Sequence, residues 1–193
     1  MPDAAEKDAL VVVDLQNDFC PGGALGVAGG DKIIPIVNDY IKKFAARGLP
    51  VIATRDWHPE KTRHFAEYGG AWPPHCVQGT RGAEFHPELR LEGAIVVSKG
   101  MDPSEDSYSG FEACDAEGTP LPELLRRLGV ERIFIVGLAT DYCVRHTALD
   151  ALRRGFKVVV LKNAVAGVNL KPGDSEEALA EMARAGAELR ESL

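Results

Sequence analysis

Apolar positions along the chain follow two periodicities. Five short runs, residues 9–13, 51–54, 94–97, 133–136 and 157–161, are rich in β-branched residues and apolar at nearly every position. Such runs predict strands buried on both faces. Residues 187–190 form a weaker sixth. Between the runs the spacing turns helical. Asp31 is placed to cap a helix with Ile33, Ile34, Val37, Ile41 and Phe44 on its apolar face, stopped by Gly48 and Pro50. Thr119 and Pro120 open a second helix, with Leu121, Leu124, Leu125 and Leu128 inward and Gly129 beyond its end. Thr140 or Asp141 opens a third, carrying Val144, Ala148 and Leu152 to Gly155. Ser175 opens a fourth, through Ala178, Leu179 and Met182 to Gly186. Strands alternating with helices predict βαβ units and a parallel sheet covered on both faces. Residues 56–93 and 99–118 break the rhythm and hold many Gly, Pro and aromatic residues. Irregular stretches of that length in a compact domain are usually functional.

Composition narrows the class. The 193 residues fit one compact domain over 1–193. No apolar run approaches the roughly 20 residues of a spanning helix, so a membrane partner is not expected. Asp plus Glu number 29 against 22 Lys plus Arg, a net charge of −7. An acidic surface repels phosphate backbones, which argues against a nucleic-acid partner. The start, Met1 to Asp8, is polar and lacks the apolar core of a signal peptide. Cys20, Cys76, Cys114 and Cys143 form no C-x-x-C pair, so the expected compartment is the cytoplasm, with reduced thiols. A homo-oligomer stays open, since no exposed apolar stripe can be isolated by pattern.

In open parallel sheets, ligands bind beyond the carboxyl ends of the strands. The first three strands are followed by Asp14, Asp56 and Lys99, and the fourth by Gly137-Leu138-Ala139-Thr140-Asp141-Tyr142-Cys143. Any one of these alone is an ordinary strand end; four at one edge suggest chemistry. Cys143 falls in the first turn of a helix, where partial positive charge favours a thiolate able to attack a carbonyl. A small buried hydrophobe is the alternative for Cys143, and the expected role of Cys20, Cys76 and Cys114. Asp14 can take the thiol proton, and Lys99 can hold that carboxylate ionised; a structural ion pair is the plainer reading of those two alone.

Asp56-Trp57-His58-Pro59 puts a carboxylate and an imidazole on one side of an extended segment. His64 and His75 follow in the same loop. One carboxylate with two or three imidazoles suits Zn, Fe or Mn, although loop histidines also simply bond backbone. His86 and His146 are read as structural. Phe19, Trp72, Tyr108 and Tyr142 can wall a pocket. Gly22, Gly23, Gly26, Gly29 and Gly30 lack the spacing of a phosphate cradle.

Six stretches together carry a resemblance over nearly the whole chain: Val13-Asp14-Leu15-Gln16-Asn17-Asp18-Phe19, Thr54-Arg55-Asp56-Trp57-His58, Trp72-Pro73-Pro74-His75-Cys76, Val97-Ser98-Lys99-Gly100, Tyr108-Ser109-Gly110-Phe111 and Gly137 to Val144. The sequence resembles the isochorismatase-like cysteine hydrolases, in their nicotinamidase/pyrazinamidase branch. The resemblance implies a three-layer α/β/α fold around a mostly parallel sheet of five or six strands. It implies Asp14, Lys99 and Cys143 as a catalytic triad, and Asp56, His58 and His75 as ligands of one divalent transition metal (Zn, Fe or Mn). His64 matches a fourth ligand found in some members. A cis Leu138–Ala139 bond would aim the Ala139 and Cys143 amides at an oxyanion. Phe19, Trp72, Tyr108, Leu138 and Tyr142 would contact the substrate, nicotinamide, in a step of NAD salvage. Isochorismatases proper lack the cysteine, and carbamoylsarcosine amidases lack the metal ligands; this chain has both. An amidase for another small amide, or a metal- or thiol-binding module without turnover, are the competing readings.

Overall fold

The computed structural model describes residues 7–193; positions 1–6 of the polar start lie outside the described residues. Six strands form one sheet in the order β3-β2-β1-β4-β5-β6, every pair parallel. The strands are β1 (Asp8–Val13), β2 (Val51–Asp56), β3 (Ile95–Lys99), β4 (Arg132–Leu138), β5 (Lys157–Ala166) and β6 (Glu188–Arg190). The helices are α1 (Ile34–Ala45), α2 (Leu121–Arg127), α3 (Arg145–Arg153) and α4 (Asp174–Arg184). This is the expected three-layer fold, with all six strands present.

All six residues of β1 are buried, because their alternate side chains enter two cores. Leu10 and Val12 pack with Val37, Ile41 and Phe44 of α1. Ala9, Val11 and Val13 pack with Leu121 and Leu125 of α2, Ala148 of α3 and Met182 of α4. A strand with no solvent face must be apolar throughout, which is the pattern read above. The one charged member, Asp8, is buried against the Arg132 guanidinium (2.9 and 2.7 Å) at the amino end of the sheet.

Strand order reverses between β1 and β4, so their carboxyl ends flank a crevice. Gly137 sits there opposite Val13, at the bulge that shifts β4 against β5. Its φ is 112°, and a Cβ would fall 2.1 Å from the Val13 carbonyl oxygen. Only glycine lets the two strands close at this point.

Several local expectations are corrected. Asp31 does not cap α1: the chain closes in turns over 28–33, and the backbone carbonyl of Asp31 accepts from Ile34 N (3.2 Å). Leu128 is 42% exposed rather than inward, because α2 ends at Arg127 and Val130 takes the buried place. Neither Thr140 nor Asp141 caps a helix. The chain makes a π-turn over Thr140–Val144 before α3, and the Asp141 carboxylate accepts instead from Val168 N (2.9 Å) and Asn169 N (2.8 Å). Strand β3 reaches Lys99 and β5 runs on to Ala166. Helix α4 starts at Asp174, behind Gly173 in the left-handed region.

Candidate active site

The parallel ladder delivers the first cluster. Asp56 and Lys99 are register partners at the ends of β2 and β3. Asp14 follows β1 in the left-handed region, φ 47°, and Cys143 comes from the π-turn after β4. The Lys99 ammonium lies 2.9 Å from Asp14 Oδ2 and 3.5 Å from Cys143 Sγ, and it is ion-paired to Asp56 Oδ1. All four residues are buried. Thr54 Oγ1 donates to Asp14 Oδ1 at 2.6 Å, leaving Oδ2 to face Lys99.

Burial dominates the proton affinities. It pushes the Asp14 carboxyl up, against the pull of Lys99. Burial also works against the Lys99 cation, but the Asp14 and Asp56 carboxylates outweigh it and hold the ammonium protonated. Burial likewise pushes the Cys143 thiol well up, although Lys99 draws it down. Burial thus opposes the thiolate that a helix end favours, and a base beside the sulfur is needed to take its proton. Removal from water favours the neutral thiol and outweighs both the pull of Lys99 and the partial charge of a helix end.

Beside this cluster, three imidazoles converge. Donor atoms of His58, His64 and His75 all lie within 4.8 Å of one another. His58 Nε2 is 3.5 Å, and His75 Nε2 3.8 Å, from Asp56 Oδ2. Each Nδ1 is engaged elsewhere: His58 with Gly100 O (3.0 Å), His75 with Pro73 O (2.8 Å), His64 with Asp106 Oδ1 (2.7 Å). The Nε2 lone pairs are thus turned to a common centre, and buried His58 Nε2 has no hydrogen-bond partner. An orphaned buried acceptor among three imidazoles and a carboxylate is chemistry that fits a divalent transition metal. Burial depresses His75 to about 4 and lowers His64, so both are neutral donors at pH 7.

Asp56, His64, His75, Ala139 and Cys143 border one cavity of about 280 Å³, walled by Phe19, Trp72, Tyr108, Leu138 and Tyr142. Asp14, Lys99 and His58 do not reach its surface; they are buried against residues that do. The Leu138–Ala139 peptide is cis. Trp72 Nε1 donates to the Tyr108 hydroxyl (3.0 Å) and its ring meets Tyr142 edge-on at 5.1 Å. Tyr108 is set by a capping box: Glu112 Oε2 accepts from Tyr108 N (2.9 Å) and Ser109 N (3.1 Å), while Ser109 Oγ accepts from Phe111 N. His146 stacks on Tyr108 at 5.1 Å, and His86 stays outside the cavity. Cys20 and Cys76 are buried packing residues, and Cys114 is half-buried.

Sequence reasoning missed the supporting shell. Thr54 holds Asp14. Gln16 clamps the Asp56 backbone, donating to Asp56 O (2.8 Å) and Ala83 O (2.9 Å) and accepting from Asp56 N (2.8 Å). Asp106 holds His64. The available signal was a polar residue beside each motif: Gln16 two after Asp14, and Thr54 two before Asp56.

Similarity to known proteins agrees with this geometry. Residues 8–192 match the isochorismatase domain. The nicotinamidase/pyrazinamidase of Mycobacterium tuberculosis is 45% identical over 185 residues, covering 94% of this chain and 97% of that one. The crystal structure of the pyrazinamidase of Pyrococcus horikoshii in complex with zinc superposes with a TM-score of 0.87 at 54% identity, over 95% of this chain and 98% of that one. PnC1 from L. infantum, solved in complex with nicotinate, superposes at 0.84 with 37% identity, over 97% and 94%. With the domain match spanning nearly every described residue and relatives this similar along their full length, the chain belongs to the isochorismatase family.

Proposed function

We propose that the protein is a nicotinamidase that also hydrolyses pyrazinamide, releasing nicotinate (or pyrazinoate) and ammonia. The observation that carries the reading is a buried ammonium that touches both a thiol and a carboxylate, beside a cavity that the thiol borders and that also presents a carboxylate and imidazole donors. Asp56, His58 and His75, with His64, would hold one divalent metal, Zn, Fe or Mn; when bound, it accepts the ring nitrogen of the substrate and fixes the ring. Phe19, Trp72, Tyr108, Leu138 and Tyr142 enclose that ring and exclude water.

The residues then divide the labour. Cys143 Sγ attacks the carboxamide carbon as its proton passes to Asp14 Oδ2. The carbonyl oxygen becomes an oxyanion held by the Ala139 and Cys143 amides, donors each worth about 3 kcal/mol in such sites. Asp14 returns the proton to the departing amine, the C–N bond breaks, and ammonia leaves a thioester. Water, deprotonated by Asp14, attacks the thioester carbon; the C–S bond breaks and the proton returns to sulfur. Lys99 stays cationic and offsets the charge that moves between sulfur and carboxylate. The raised proton affinity of Asp14 suits a base that must both take and give a proton. A sulfur that must stay reduced suits the cytoplasm; among the described residues no helix is long and apolar enough to cross a membrane.

Ammonia release from nicotinamide by the purified protein tests the reading. Cys143→Ala is expected to abolish it with the fold intact, and chelation to weaken substrate binding more than stability. Retained turnover in Cys143→Ala would reject the nucleophile. Turnover of other small amides but not nicotinamide would reject the substrate.

A further inference from the structure

Of the three imidazoles, His58 and His75 are oriented by backbone carbonyls, whereas His64 is oriented by a carboxylate, Asp106 Oδ1 at 2.7 Å. Asp106 stands 42 positions away on a separate loop, and its side chain is 47% exposed while that of His64 is 2%. The two loops are knit around this contact: Arg63 N donates to Pro103 O (2.9 Å) and Arg63 Nη1 to Ser104 O (3.2 Å). The His64 ring lies stacked on His58 at 4.7 Å and 5.5 Å from Tyr108. A carboxylate on Nδ1 fixes the proton there, presents Nε2 as the donor and makes it more basic.

We propose that Asp106 is a positioning residue that recruits His64 as a ligand of the metal centre, so that metal retention depends on a half-exposed loop side chain. This rests on the metal reading above, and concerns His64, whose role the pattern D-x-H…H leaves undecided. Without Asp106, the loop-borne imidazole is free to rotate or to take the other tautomer, and one donor is lost.

Zn²⁺ affinity of the metal-free protein, measured against a competing chromophoric chelator without substrate, tests the inference. Asp106→Ala is expected to weaken Zn²⁺ about 10- to 100-fold, and His64→Ala by a similar factor. The double variant should lose no more than His64→Ala alone. Asp106→Asn, whose amide oxygen still accepts from Nδ1, should lose less, and it serves if the alanine variant fails to fold. Long-range ¹H–¹⁵N spectra of the metal-free imidazoles should show His64 protonated at Nδ1 in the parent and not in Asp106→Ala. An Asp106→Ala affinity within twofold of the parent, or additive losses in the double variant, would overturn the role of Asp106 while leaving the metal centre standing. A parent that binds no Zn²⁺, Fe²⁺ or Mn²⁺ would overturn both.

Discussion

Replacing Lys99 by methionine leaves two buried carboxylates without their shared counter-charge. Methionine keeps most of the side-chain length, so the perturbation is electrostatic. At 2.9 Å and an effective dielectric constant near 20, the contact of Asp14 with the ammonium amounts to about 6 kcal/mol of Coulomb energy before desolvation. The variant cannot lose all of that, because a carboxyl can neutralise itself. Taking up one proton at pH 7 against an unfolded carboxyl near 3.9 costs about 4 kcal/mol, and at pH 5 only about 1.5. Asp14 is the group that takes it, since burial already raises its proton affinity and Lys99 is its chief opponent. A carboxyl raised in the fold stabilises below its unfolded value and loses that stability as pH climbs through the folded one. The metal-free variant should therefore be destabilised by about 4 kcal/mol at pH 7 and recover more than half of it at pH 5. Urea unfolding followed by tryptophan fluorescence reads this as a midpoint drop of about 2 M at pH 7 and under 1 M at pH 5, for a slope near 2 kcal/mol/M. A penalty that is flat, or that grows as pH falls, would refute the shared-cation account.

Thr54→Val removes the 2.6 Å bond to Asp14; a bond to a charged group is worth about 1.5–3 kcal/mol, so kcat should fall about 10- to 100-fold, with Thr54→Ser restoring most of it. Gly137→Ala forces a Cβ against the Val13 carbonyl at φ 112° and should lower stability by at least about 2 kcal/mol, read by thermal unfolding. Gly100→Ala puts a Cβ within 2.5 Å of the His58 ring and should weaken Zn²⁺ binding in the chelator competition while the sheet stays folded. His75, depressed by burial to about 4, refuses a proton that the unfolded chain accepts near 6.5; the metal-free fold should lose up to about 3 kcal/mol between pH 6.5 and 4, and His75→Gln should flatten that slope.

What could be read in the sequence was whatever depends on neighbours along the chain. Strands buried on both faces advertise themselves as unbroken apolar runs, and the residue ending each run is marked by its charge. So Asp56 and Lys99, the closing residues of two adjacent parallel strands, were identifiable before their pairing was known. Helix starts were less legible. Asp31 and Asp141 have the right chemistry for caps, but backbone turns or a tertiary partner supplied the bonds instead. The supporting shell was hidden for a similar reason. Thr54 meets Asp14, and Gln16 meets Asp56, across 40 positions, and Asp106 meets His64 across 42. Only the strand order makes those residues neighbours. The Cys143 proton followed the same rule: the local argument from a helix end favoured a thiolate, while the tertiary fact of burial beside Asp14 and Asp56 outweighs it.

The two halves of the site are joined by a single carboxylate. Asp56 Oδ1 is paired to Lys99, which also touches Asp14 and Cys143; Asp56 Oδ2 faces His58 and His75. Its charge is felt at both ends: it raises the proton affinity of Asp14 and of the thiol, and it opposes the desolvation that depresses His75. A cation held by the imidazoles would offset that charge, so filling the donor cluster would ease the ionisation of the thiol on the far side of the same side chain. On the proposed function, substrate anchoring and nucleophile activation would be one electrostatic system rather than two adjoining ones, built on the register that pairs the end of β2 with the end of β3. Gln16 secures that joint by clamping the Asp56 backbone on both its N–H and its carbonyl. A shift of the Asp56 main chain by even an ångström would misplace both the oxygen that faces the imidazoles and the partner of Lys99, which is the physical reason for a buried glutamine between two strand ends.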